Sequence, residues 1–152
     1  MARSLSPDRE REFQELLAFV AFYTEHVDGV NPTASFNMEA VCAGIVAQYG
    51  KSRALEGLRQ ATNDIVEDLS GRPADGVAAL DEALSAAGLL TASEVRRRYA
   101  ASYKRIVKRG LIRNDTEYYL INGIVVDLTS AISEEERAAL QQLLNAYEAT
   151  GR

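Results

Sequence analysis

Apolar residues return at helical spacing along almost the whole chain, separated by short polar signals. Phe13, Leu16, Leu17, Val20 and Val27 predict a helix over 7–27. Ser6 is its cap, Pro7 suits its first position, and Asp28-Gly29 ends it. The stretch DGVNPTASFN, 28–37, reads as a loop, with Pro32 disfavouring helix at Asn31. Over 38–49, Met38, Val41, Cys42, Ile45, Val46 and Tyr49 form a stripe, and Ala40, Ala43, Gly44 and Ala47 fill the rest. A helix apolar or small nearly all round is expected at the centre of a bundle. Gly50 ends it. Ser52 caps a third helix to about 69, with Leu55, Leu58, Ile65 and Leu69 inward and small Ala54, Gly57 and Ala61 permitting a close crossing. Ser70-Gly71-Arg72-Pro73 breaks the chain, and a short helix over 75–87 turns Val77, Leu80 and Leu84 inward before Gly88.

The strongest start signal follows. Thr91 and Glu94 make a capping box, with Leu90 and Val95 placed for a hydrophobic staple, and one helix is expected from there to Gly110. The last helix starts at Ser133, with Glu136 as box partner and Glu134 and Glu135 suited to the positive dipole end. It turns Leu140, Leu143, Leu144 and Tyr147 inward. Between them, EYYLINGIVVDL, 117–128, has two readings. Asn122-Gly123 between apolar runs is a hairpin signal over 118–128. Asn114 as a cap with Glu117 three residues on signals a helix, with Tyr118, Ile121, Val125 and Leu128 on one face. An isolated hairpin needs something to pack on, and the neighbouring segments are helical, so helix is the preferred reading. Gly123 inside it would cost about 1 kcal/mol relative to alanine. The fold class expected is all-α: a compact bundle of six or seven helices, a single domain over 1–152 with 1–6 and 150–152 frayed.

Charge changes this picture more than composition does. Residues 94–113 hold Arg96, Arg97, Arg98, Lys104, Arg105, Lys108, Arg109 and Arg113 against one acid, Glu94. Eight cations less one acid give that segment +7, which leaves −12 on the rest of a chain of net charge −5. At 100° per residue, Val95, Tyr99, Ala100, Tyr103, Ile106 and Val107 fall in one arc of about 140°. Arg97, Arg98, Lys104, Arg105, Lys108 and Arg109 fall opposite. Arg96 falls in the apolar arc near the helix start, so it must reach past the rim or pair with an interior carboxylate. The ridge is either neutralised inside the molecule, by Asp81-Glu82 or Glu134–Glu136, or left to dock an acidic partner. Tyr99 and Tyr103 flank it, and tyrosine and arginine are enriched at interface hot spots.

Other chemistry is thin. His26 suits the C-terminal dipole end of its helix, and Cys42 is a small core residue by default. One histidine and one cysteine cannot build the common zinc sites. Asp64, Glu67 and Asp68 share a helix face next to Asn63, and Asp127 is a lone acid in an apolar segment; these are the only routes to a carboxylate or Mg-dependent enzyme. No Walker, GxSxG or glycine-rich phosphate motif is present. The helices on either side of Gly88–Leu90 outline a helix-turn-helix, but Leu84 stands where a small residue belongs and Glu94 would repel phosphate. The ending, RGLIRNDTEYYL through SEEERAALQQLLNAYE, is similar in outline to the tails of small bacterial helical proteins and carries no motif diagnostic of a family.

The length, a pI near 5.0, the absence of a long apolar run and a charged start favour a cytoplasmic protein that does not coat nucleic acid with its whole surface. The function expected is non-enzymatic binding of a macromolecule, as a regulator, an immunity-type inhibitor or an assembly subunit. The docking face is the basic helix 95–109, through Arg97, Arg98, Tyr99, Tyr103, Lys104, Arg105, Lys108 and Arg109. An acidic protein or a second copy is the partner expected, with nucleic acid as the alternative. No cofactor, metal or membrane is called for.

Overall fold

Helix caps account for most of the observed architecture. The computed structural model describes residues 5–29, 31, 33 and 37–150, and all of its regular structure is helical. Eight helices lie among the described residues: α1 Pro7–His26, α2 Met38–Tyr49, α3 Lys51–Ser70, α4 Ala74–Ala86, α5 Ala92–Tyr99, α6 Ala101–Arg109, α7 Asp115–Val126 and α8 Glu134–Ala149. Ser6, Thr91, Asn114 and Ser133 each accept the backbone N–H three residues on, as their positions predict. Pro32 and the extreme termini, read above as loop and frayed ends, lie outside the described residues.

The chain packs as two compact units, Met1–Ile65 and Val66–Arg152, with the boundary inside α3. In the first, α1 buries Phe13, Leu16, Phe19, Val20 and Tyr23, and α3 buries Ala54, Leu55, Leu58, Thr62 and Ile65. The two helices are tied by Lys51 to Glu10 at 2.5 Å and by Arg59, which grips both Glu12 oxygens at 3.0 and 2.6 Å. The expectation of a central second helix is overturned. α2 buries only Cys42, while Val41 is 42% and Tyr49 62% exposed. Its alanines and glycine bury little area each, so a uniformly apolar surface gives no single face worth covering on all sides.

The second unit is organised on α7, which packs on α4, α5, α6 and α8. Residues 117–128 therefore belong to a helix and not a hairpin. Gly123 lacks the positive φ that a two-residue hairpin turn demands. The buried face is Leu120, Ile121 and Ile124: of the stripe expected, Ile121 is buried, Tyr118 and Val125 are half-buried, and Leu128 lies beyond the helix at 89% exposed. A Cβ on Gly123 would meet Ser93 Oγ at 3.0 Å, so glycine lets α7 lie close to α5.

The single helix expected from Thr91 to Gly110 is also corrected. It breaks at Ala100, whose φ of −73° and ψ of 121° are extended, and this break supplies the eighth helix. No proline or glycine marks the place. The cause is tertiary: α5 and α6 both pack on α7, which at 12 residues spans about 18 Å against about 27 Å for a straight 18-residue helix. The bend buries Val95 and Arg96 on one side and Tyr103 and Ile106 on the other. Gly110 then closes α6 with a left-handed φ of 73°.

Candidate functional site

The cationic segment divides chemically where it divides structurally. On α5, Glu94 is 3% exposed and accepts from Arg97 Nε and Nη2 and from Arg98 Nε, each at 2.8 Å. Arg97 also reaches Glu136 at 3.6 Å. Burial alone would push the Glu94 carboxyl up; the bonds and charges of Arg97 and Arg98 outweigh it and hold the group below its ordinary 4.5. Tyr99 is half-buried. Tyr103, buried, donates to Glu136 at 2.5 Å, and burial followed by that carboxylate raises its pKa beyond the usual phenol range. Arg109 makes a two-pronged bond to Glu117 at 2.9 and 3.0 Å.

The three cap-and-glutamate spacings read from the sequence have a second use that the sequence reading missed. Glu94, Glu117 and Glu136 each stand three residues after a cap, and each offers its backbone N–H to that cap. Their carboxylates turn to the arginines. Internal neutralisation thus takes Arg97, Arg98 and Arg109, with Glu136 among the acids anticipated for it. Lys104, Arg105 and Lys108 of α6 are exposed and enter no ion pair among the described residues. Val107, at 45%, and Leu111, at 51%, are exposed among them. The eight residues expected to dock a partner therefore separate into three free cations and five side chains held by, or partly buried in, the fold.

Elsewhere the acids part company. Asp64 and Glu67 are exposed on α3, Asp68 is held by Arg72 at 2.9 Å, and no group of three metal-ligating side chains occurs among the described residues. His26 stacks on Phe22 at 4.0 Å with Nδ1 3.1 Å from the Phe22 carbonyl, at the helix end. The first turn of α5, which a helix-turn-helix would present to bases, is buried from Ala92 to Arg96. No helix among the described residues is long and apolar enough to cross a membrane.

Asp127 behaves differently, because it meets a second polar segment in a cavity. The cavity, about 850 Å³, lies wholly in the second unit, between α4, α7 and the start of α5. Asp127 accepts from Thr91 Oγ1 at 2.5 Å and from Thr129 N at 2.9 Å. Asp81 on α4 accepts from Ser93 Oγ at 2.5 Å and Ser93 N at 3.2 Å, so it also satisfies an orphan amide at the start of α5. Burial lifts the Asp81 carboxyl above its ordinary 3.8 by more than these bonds lower it, and Asp127 adds repulsion. Arg96 lines the same cavity, 7% exposed. Burial lowers its pKa, partly countered by Asp81 acting through space. Two sequence signals pointed to this place, an arginine inside an apolar arc and Asp127 as a lone acid in an apolar segment. No protein-family model, curated protein or solved structure matches this chain.

Proposed function

We propose that the protein binds an acidic macromolecular partner, a protein surface rich in aspartate and glutamate, through α6 and Leu111 just beyond its Gly110 cap. The observation that carries this reading is the set of three exposed cations Lys104, Arg105 and Lys108, unpaired among the described residues, around exposed Val107 and Leu111. Opposite charge steers and registers such a contact, and the apolar pair gives it area to bury. The contact surface is narrower than the whole basic segment, because Arg97, Arg98 and Arg109 already hold internal acids. A second copy is one such partner, since the rest of the chain carries the excess of acid.

The test uses three defined partners: poly-L-glutamate, a random-sequence DNA duplex and the chain itself at rising concentration. Salt-sensitive binding to polyglutamate, or self-association, is expected, and the triple reversal Lys104→Glu, Arg105→Glu, Lys108→Glu should abolish it with unfolding unchanged. Binding to the duplex with a steeper salt slope than to polyglutamate would replace this reading with the nucleic-acid one. Binding that survives the reversal, or none to any of the three, would overturn it.

A further inference from the structure

The interior of the second unit contains a charge that its own fold does not match. Arg96 is 93% buried, its Nε has no hydrogen-bond partner, and it enters no ion pair among the described residues. A guanidinium withdrawn from water with a donor unused is costly. Asp81 offsets part of that cost through space. Arg96 lines a cavity of about 850 Å³, within the span of small-molecule sites.

The other groups facing that space narrow the chemistry. Asp81 and Asp127 each accept bonds from the fold, yet a carboxylate has about four acceptor positions, so both retain capacity toward the cavity. The apolar lining includes buried Val77 and Leu120 and exposed Val126. A simple anion would satisfy Arg96 but would face Asp81, Asp127, Glu82 and Asp115. A simple cation would satisfy the acids and leave Arg96 as it is, with added repulsion. A molecule with both charges and an apolar body answers every group.

We infer that this cavity binds a small apolar zwitterion, a free amino acid or short peptide with an apolar side chain. Its carboxylate pairs with the Arg96 guanidinium, its ammonium donates to Asp81 and Asp127, and its side chain lies along Val77, Leu120 and Val126. Apo Arg96 is then a binding group held ready in low dielectric, where a charged hydrogen bond is strong. This site is separate from the exposed cations of α6, and its failure would leave the proposal for α6 untouched.

The probes are L-phenylalanine and the dipeptide Leu-Phe, each free, N-acetylated or C-amidated, titrated into the full chain. Amide NMR and calorimetry give the readout. The free forms should shift the resonances of Ser93, Asn122 and Gly123, and either cap should weaken binding roughly tenfold or more. Arg96→Met should weaken the free forms by a similar factor and should not lower the melting temperature, since it removes an unmatched buried charge. The capping comparison uses the native chain, so it decides the matter even where the variant fails to fold. The inference is overturned if no free form binds, if the C-amide binds as well as the free acid, or if a folded Arg96→Met binds unchanged.

Discussion

α5 and α6 are adjacent, similarly basic and joined at one residue, yet their cations have opposite fates. α5 carries arginines only: Arg97 and Arg98 are drawn to Glu94, Arg97 reaches Glu136 as well, and Arg96 is buried without an ion pair among the described residues. α6 carries Lys104, Arg105 and Lys108 outward, and among the described residues only Arg109 at its end is ion-paired. Arginine's planar fork suits two-pronged capture of a carboxylate, whereas lysine is a strongly hydrated point charge. Residue chemistry as well as position thus divides the segment: what looks like one ridge is a structural clamp followed by an open face.

The comparison breaks first at Glu94. Glu94→Ala leaves Arg97 and Arg98 partly buried without their main acceptor, and urea unfolding should show a loss of about 3 kcal/mol. The same residue predicts an acid limb. A carboxyl held below its unfolded value adds stability above pH 4.5 that disappears as pH falls through its folded pKa. Glu94→Gln should flatten stability against pH there. Asp81 has the opposite sign, because its raised pKa makes stability fall as pH rises above 3.8 through the folded value. Asp81→Asn should remove that opposing slope.

Smaller effects sharpen the contrast. Gly123→Val places a branched side chain against Ser93 Oγ, which Asp81 already holds, and should cost about 2 kcal/mol in chemical unfolding. Arg109→Ala breaks a two-pronged bond between side chains 20% and 19% exposed and should cost about 1 kcal/mol by the same measurement. Lys104→Ala and Lys108→Ala should each change stability by less than about 0.5 kcal/mol. A loss as large as that of Glu94→Ala at either lysine would show that α6 is clamped too.

What could be read in advance was local. Ser6, Thr91, Asn114 and Ser133 announce their helices because a cap bonds within three residues of itself. Buried stripes such as Leu55, Leu58, Ile65 and Leu69 follow from spacing alone. The break at Ala100 was invisible, since Ala100-Ala101 is strong helix-forming sequence and the bend answers to packing on α7. The exposure of α2 was hidden for a related reason: an all-round apolar surface contains no direction. Glu94 stands within local reach of Arg97 and Arg98, but Glu136 is far along the chain from Arg97, so charge could suggest that pair and no local pattern could. Of the cavity, Arg96 inside an apolar arc and Asp127 in an apolar segment were the legible traces; Asp81 and Ser93 meet there only because α4 lies beside the first turn of α5.

The double use of three glutamates binds helix initiation to tertiary assembly. Glu117 and Glu136 sit in the opening turns of α7 and α8 while gripping Arg109, Tyr103 and Arg97 from the preceding pair. Fraying either start releases a neighbour, and undocking a neighbour strips charge compensation from that start. Amides at the beginnings of α7 and α8 should therefore exchange with solvent only as fast as those of Ile106, opening together as one cooperative body.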